Sequence, residues 1–204
     1  MATVLTLSRP FPSRYGVPVI AHVDLSIFQK QYFTHCLSCT FCADSCCSHG
    51  VDVDLYHVDR INERAEALEA YTGINRDQWF GEARIDDPEL PGGGSVRTRV
   101  VGGACVFLDR QDRGCLIHKF CDELGTDYHD LKSIVDCLFP LSVMDSTLYP
   151  ASEVEDRTLA CVGTGPTLYR GLRDELLYYF GEELVGVLDG LEGSGEQGAG
   201  SGIP

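Results

Sequence analysis

Cys36-Leu-Ser-Cys39-Thr-Phe-Cys42-Ala-Asp-Ser-Cys46-Cys47 places five thiols within twelve residues, a density that packing alone does not require. Thiolate sulfur is a soft ligand for zinc, copper(I) and iron–sulfur clusters, and two cysteines with two residues between them can bend round one metal or one cluster edge. The stretch therefore predicts a metal-binding loop. Five more cysteines follow at Cys105, Cys115, Cys121, Cys137 and Cys161, and all ten are candidate metal ligands. The adjacent pair Cys46-Cys47 needs its own account, because neighbouring side chains do not reach one metal without an unusual turn. One of them serves a second metal or packs as a small hydrophobe.

The chain around this loop is long enough, at 204 residues, to bury a core without disulfide support. Its first residues, Met1 to Pro10, lack a basic segment followed by a long apolar one, so export is not expected. No run approaches the roughly 18 apolar residues of a spanning helix. These observations predict a cytoplasmic protein in a reducing compartment, where clustered thiols persist as ligands. A formal charge of −15, from 31 acidic and 16 basic residues, disfavours nucleic acid and anionic membranes as partners. Asp174, Glu175, Glu182, Glu183, Asp189, Glu192 and Glu196 follow the last basic residue, Arg173, and read as a solvated acidic face.

The flanking sequence predicts an α+β domain over residues 17–190, preceded by an extension over 1–16 and followed by a disordered Gly/Ser-rich tail over 191–204. Residues 17–28 alternate enough to form a strand leading into the loop. Leu55, Val58, Ile61, Ala65 and Leu68 recur at helical spacing, and Gly73 supplies a stop. Asn75 to Phe80 suggests a short helix, and Asp86 to Ser95 a loop. Val96–Val101, Ala104–Leu108 and Cys115–His118 read as a small antiparallel meander, with Gly102-Gly103 as one turn. From Thr167 the apolar spacing predicts one or two closing helices. Asp52, Asp54, Asp109 and Asp112 read as turn and helix-start residues. His35, His49 and His118 are the imidazoles nearest the thiols.

Cys36, Cys39, Cys42 and Cys46 reproduce the C-x2-C-x2-C-x3-C run of bacterial ferredoxins, but Cys47 replaces the proline that follows there and no second run exists. Several motifs in order resemble the YkgJ-type CxxCxxCC family of zinc- or iron-chelating domains. Cys39-Thr-Phe-Cys42-Ala-Asp-Ser-Cys46-Cys47 is similar to the family's opening motif, with three residues instead of two before the cysteine pair. Cys105-Val-Phe-Leu108, Gly114-Cys115-Leu-Ile-His118 and Cys137-Leu-Phe-Pro140 resemble its later elements, so the likeness covers about residues 36–141. Ser133-Ile-Val-Asp136 stands where the family has Arg-Pro. The resemblance implies a metal-chelating domain and supplies no substrate.

Overlapping C-x2-C pairs favour an iron–sulfur cluster over zinc. The expected function is chelation of one or the other. Alternatives are a cluster-dependent oxidoreductase or protein-modifying enzyme and, more weakly, an acidic protein-interaction module with a structural zinc. The partners expected are a protein or an electron-transfer partner.

Overall fold

A computed structural model describes residues 3–34, 37, 39–42 and 44–198. The fold is mixed α+β, with short sheets and helices grouped about two apolar cores. β1 (Val4–Pro12) and β2 (Val19–Asp24) are antiparallel and lie at one side of a four-stranded sheet that continues through Thr147–Pro150 (β10) to Leu141–Met144 (β9) in the order β1-β2-β10-β9. Structure thus begins well before residue 17, where the sequence pattern starts it. Pro10 and Pro12 are tolerated because β1 is the sheet edge, where a missing N–H breaks no ladder bond on the open side. The register also shifts between Thr6 and Phe11, while Leu7 and Phe11 are buried against the first core.

A 3-10 turn over Leu25–Phe28, capped by the Asp24 side chain, leads to β3 (Gln31–Tyr32) and the cysteine loop. Cys46 and Cys47 lie in a further 3-10 turn, Ser45–His49. β4 (Asp52–Asp54) then runs into α1 (Leu55–Glu63) and α2 (Ala65–Thr72). The expected single helix is divided at Arg64, yet its buried stripe of His57, Ile61, Ala65 and Leu68 keeps the helical spacing. Gly73 takes the left-handed conformation, φ +70°, and its N–H caps the Glu69 carbonyl.

The segment Asn75–Phe80 contributes one 3-10 turn, Arg76–Gln78. β5 (Phe80–Asp86) and β6 (Gly94–Thr98) pair antiparallel, and β4 joins the other side of β6. The expected loop over 86–95 is therefore the connection between these two strands, overlapping the last residue of β5 and the first two of β6. β7 (Val100–Val101) and β8 (Ala104–Cys105) form the hairpin about Gly102-Gly103.

Cys115 makes a single bridge to Leu108, but Leu116–Leu124 is helix α3 and not a third strand. The apolar period continues through Ile117, Phe120 and Cys121, which four residues ending at His118 cannot show. Gly125, at φ +64°, closes α3. α4 (Ile134–Leu138), capped by Ser133, precedes the hairpin of β9 (Leu141–Met144) and β10 (Thr147–Pro150). α5 (Ser152–Glu155) leads to β11 (Val162–Thr167), which pairs with β3.

The closing helices are α6 (Leu168–Gly171), capped by Thr167, and α7 (Arg173–Gly198), broken at Gly181 where φ is +82°. Helix therefore extends into the tail that sequence composition leaves unstructured, while residues 199–204 lie outside the described residues. No described helix is long and apolar enough to cross a membrane.

β1, β2, β10, α4, α6 and α7 supply the first core, which includes Ile20, Leu148, Tyr169 and Leu184. α1, α2, α3, Trp79 and Phe107 build the second. Full burial of each large apolar side chain contributes roughly 1.5–3 kcal/mol. The Trp79 indole N–H also donates to the Ile74 carbonyl at 3.1 Å, so its ring is buried with no unmet donor. Between the two cores lies a cavity of about 890 Å3 whose wall takes Ile61, Phe107 and Leu131 from one and Cys137, Leu159 and Leu172 from the other.

Candidate metal centre

Three thiols, Cys39, Cys42 and Cys161, place their sulfur atoms within 4.8 Å of one another, and all three are buried. Two come from the cysteine loop and one from a position 119 residues beyond Cys42 in the chain. The pairing of β3 with β11 makes this closure: Val162 lies opposite Tyr32, and the Phe33 N–H donates to the Cys161 carbonyl at 3.1 Å. The strand pair thus sets Cys161 against the entrance of the loop. The edge-to-face contact of Phe33 with Phe41, at 5.5 Å, packs that entrance further.

The three thiols differ electrostatically. Burial resists ionisation of Cys39, but hydrogen bonds from the side chains of Cys42 and Cys161 and from the backbone of Phe41 and Cys42 hold its thiol below the ordinary range. Burial and the neighbouring Cys42 push Cys161 up to about 12. One thiolate is accommodated and a second is resisted, as expected where like charges converge in a dry site. A cation at the centre removes that resistance. The Arg113 guanidinium donates to the Cys42 sulfur at 3.1 Å and to Asp44 at 3.0 Å, adding a positive charge beside the sulfurs.

Arg113 belongs to the turn before Cys115, which reaches the cysteine loop closely. Gly114 takes φ +86°, and a Cβ there would lie 2.2 Å from the Leu37 Cδ2. Only glycine supplies both this backbone and this approach.

Cys46 and Cys47 face different cores. Cys46 packs against the core that holds Cys39, Cys42, Cys137 and Cys161, whereas Cys47 packs with Cys105, Cys115 and Cys121. Cys46, Cys47, Cys105, Cys115 and Cys137 all line the cavity. Cys105 donates to the Thr98 hydroxyl at 3.3 Å. Burial pushes the Cys105 and Cys137 thiols up and takes that of Cys115 to about 11. The ammonium of Lys132, 3.0 Å from Asp136, opposes this at Cys115 and Cys137.

Cys121 is fully buried on α3 and is not among the residues lining the cavity. Its surroundings, with Ile117 and Phe120 beside it on the helix, are those of a small apolar side chain. Cys36 and His35 lie outside the described residues.

A network that no motif announces adjoins the cavity. His129, Cys137 and Glu175 also bring one ligand atom each within 4.8 Å of the others. His129 Nε2 is 2.8 Å from Glu175, and its Nδ1 is 2.5 Å from Asp127. The Tyr128 hydroxyl donates to the other Glu175 oxygen at 2.5 Å. The rings of Tyr128 and Tyr178 stack on either side of His129 at 4.0 and 3.7 Å.

Behind it, His57 and Asp54 are fully buried, with His57 Nδ1 2.7 Å from Asp54 and His57 Nε2 3.1 Å from the His129 carbonyl. Ser133 donates to Asp54 at 2.6 Å. Asp54 does start a helix, as its position in the sequence suggests, and also carries this buried pair. The earlier clue to these residues was their polarity within otherwise apolar periods, since His57 falls on the buried stripe of α1.

Of the other imidazoles, His118 lines the cavity and stacks on Tyr128 at 4.3 Å, and His49 lies on an exposed stretch of the cavity wall. Four carboxylates of the acidic end have partners within the chain. Glu175 serves His129 and Tyr128, Glu183 pairs with Arg9, Asp189 with Arg173, and Glu192 with Arg170.

Compared with known proteins, the chain matches no family model, and no curated protein or solved structure shows a significant match to it. The buried cysteine cluster is compatible with the likeness to CxxCxxCC proteins, which rests on the motifs.

Proposed function

We propose that this chain is a metal-chelating protein whose thiolate centre at Cys39, Cys42 and Cys161 holds an iron–sulfur cluster or, failing that, zinc. The observation that carries the reading is the convergence of three buried sulfurs from two distant segments. The donor set fits: thiolates suit either group, and a loop of overlapping C-x2-C pairs wraps a cluster more readily than it encloses a single ion. Cys46, packed against the same core, is the described thiol placed to extend the set. When bound, a cluster supplies one-electron chemistry and zinc supplies a structural clamp. The chain's own part is to hold the sulfurs away from water and to balance their charge with Arg113.

Elemental analysis for iron, zinc and acid-labile sulfide, on protein purified without oxygen, tests the reading. Iron with matching sulfide establishes the cluster, and zinc without iron the single-ion centre. Absence of both in folded protein, with no uptake on reconstitution, refutes it. A reducing cytoplasm and a protein or electron-transfer partner accord with such a centre. The cavity lined by Cys46 and Cys137 favours the oxidoreductase or protein-modifying alternative over an acidic docking module, since Glu175, Glu183, Asp189 and Glu192, four of the carboxylates that suggested the module, already have partners within the chain.

A further inference from the structure

We propose that His129, Cys137 and Glu175 form a second metal site, separate from the thiolate centre, for a single divalent transition ion of the zinc or ferrous class with a coordination position open to the cavity. The three donors come from three elements: the 3-10 turn Tyr128–Asp130, α4 and α7. Their ligand atoms lie within 4.8 Å of one another. Each of the harder donors has its outer atom held. Asp127 fixes His129 Nδ1 and Tyr128 fixes one Glu175 oxygen, leaving Nε2 and the second oxygen turned toward each other at 2.8 Å. Ligating histidines are oriented by such outer carboxylates. Stacking between Tyr128 and Tyr178 holds the ring plane, and the His57 imidazole holds the His129 carbonyl.

The donor set supports the same assignment. Nitrogen, oxygen and a single sulfur are a donor set for zinc or ferrous iron and not for a cluster built on four thiolates. Cys137 and Glu175 both line the cavity. Three protein ligands, two of them lining such a space, leave a position for water or a substrate atom, the arrangement of catalytic and not of structural zinc.

Cobalt(II) titration of the full chain, followed by its ligand-field and thiolate charge-transfer bands, tests the site. A Cys39→Ser/Cys42→Ser variant should still take up one cobalt ion with the weak charge-transfer intensity of a single thiolate. Adding Glu175→Gln or Cys137→Ser should abolish that ion while the far-UV circular dichroism stays unchanged. Glu175→Gln alone, which keeps the acceptor for Tyr128, should lower the ions bound by the otherwise unaltered chain by one. That comparison decides the matter if the double variant does not fold. Uptake by the folded Cys39→Ser/Cys42→Ser variant that ignores both added substitutions would overturn the proposal, as would an unchanged total in Glu175→Gln or no uptake by the folded double variant. A parent chain that binds only this ion, and loses none on Cys39→Ser/Cys42→Ser, would instead refute only the function proposed above.

Discussion

Replacing Cys161 should separate metal binding from folding, because its sulfur belongs to the thiolate centre while its backbone belongs to a strand pair. Cys161→Ser keeps the side-chain size and leaves the Phe33 N–H bond to the residue's carbonyl in place, so the β3–β11 closure survives. The sulfur it removes is one of three within 4.8 Å. Structural zinc sites bind with about 12 kcal/mol at neutral pH, which shared over four ligands gives about 3 kcal/mol per thiolate. Zinc affinity should therefore fall by about two orders of magnitude.

The control is Cys121→Ala. Cys121 is 0 % exposed on α3, so its loss leaves a small void costing roughly 1 kcal/mol of stability, but it should leave zinc affinity unchanged. Competition with a chromophoric chelator measures the affinities, and urea unfolding the stabilities. Equal zinc affinity in Cys161→Ser and the parent chain, with native circular dichroism in both, would refute the assignment of the centre. So would a loss of affinity in Cys121→Ala as large as that in Cys161→Ser.

Burial of thiols makes the metal-free protein sensitive to alkali. Cys115 and Cys161 are pushed from 9.0 to about 11 and about 12, so the folded chain holds these protons more tightly than the unfolded one. Their stabilising contribution is complete below the ordinary thiol value and is lost as pH rises through the folded values. Urea midpoints should fall between about pH 9 and about pH 12, and less so with zinc bound, because a ligated Cys161 has already released its proton. A midpoint flat across that interval in the metal-free chain counts against the buried thiols.

Asp54→Asn keeps a helix-capping side chain but removes one charge from a pair that is fully buried on both sides. Stability should fall by about 3 kcal/mol, and a change under about 1 kcal/mol would show the pair to be electrostatically idle. Gly114→Ala places a Cβ on a backbone at φ +86° beside Leu37. The strain, about 1–2 kcal/mol, should lower the melting temperature by about 3–6 °C, and an unaltered melting temperature would show that the turn relaxes freely.

What the sequence made legible follows the range over which its signals act. The helical spacing from Leu55 to Leu68, the stop at Gly73, the turn at Gly102-Gly103 and the helix start after Thr167 are local, and each shapes the backbone as its residues suggest. Signals shared between two local periods mislead. Cys115-Leu-Ile-His118 is too short to separate strand from helix, and the period is settled only by Phe120 and Cys121. Pro10 and Pro12 argue against a strand until β1 is known to be an edge.

Density of thiols pointed to a metal site but could not apportion its ligands, since the separation of Cys46 from Cys47 depends on which core each side of one short turn meets. His129 and Glu175 stand 46 residues apart in segments with no common motif, and only the packing of α7 against the turn before α4 brings them to Cys137. Ligands supplied by one loop leave a spacing in the sequence, whereas ligands gathered from three elements leave none. The function of this chain is therefore to be sought first where the cavity lined by Cys137 and Glu175 reaches Cys46, on the core that holds Cys39, Cys42 and Cys161.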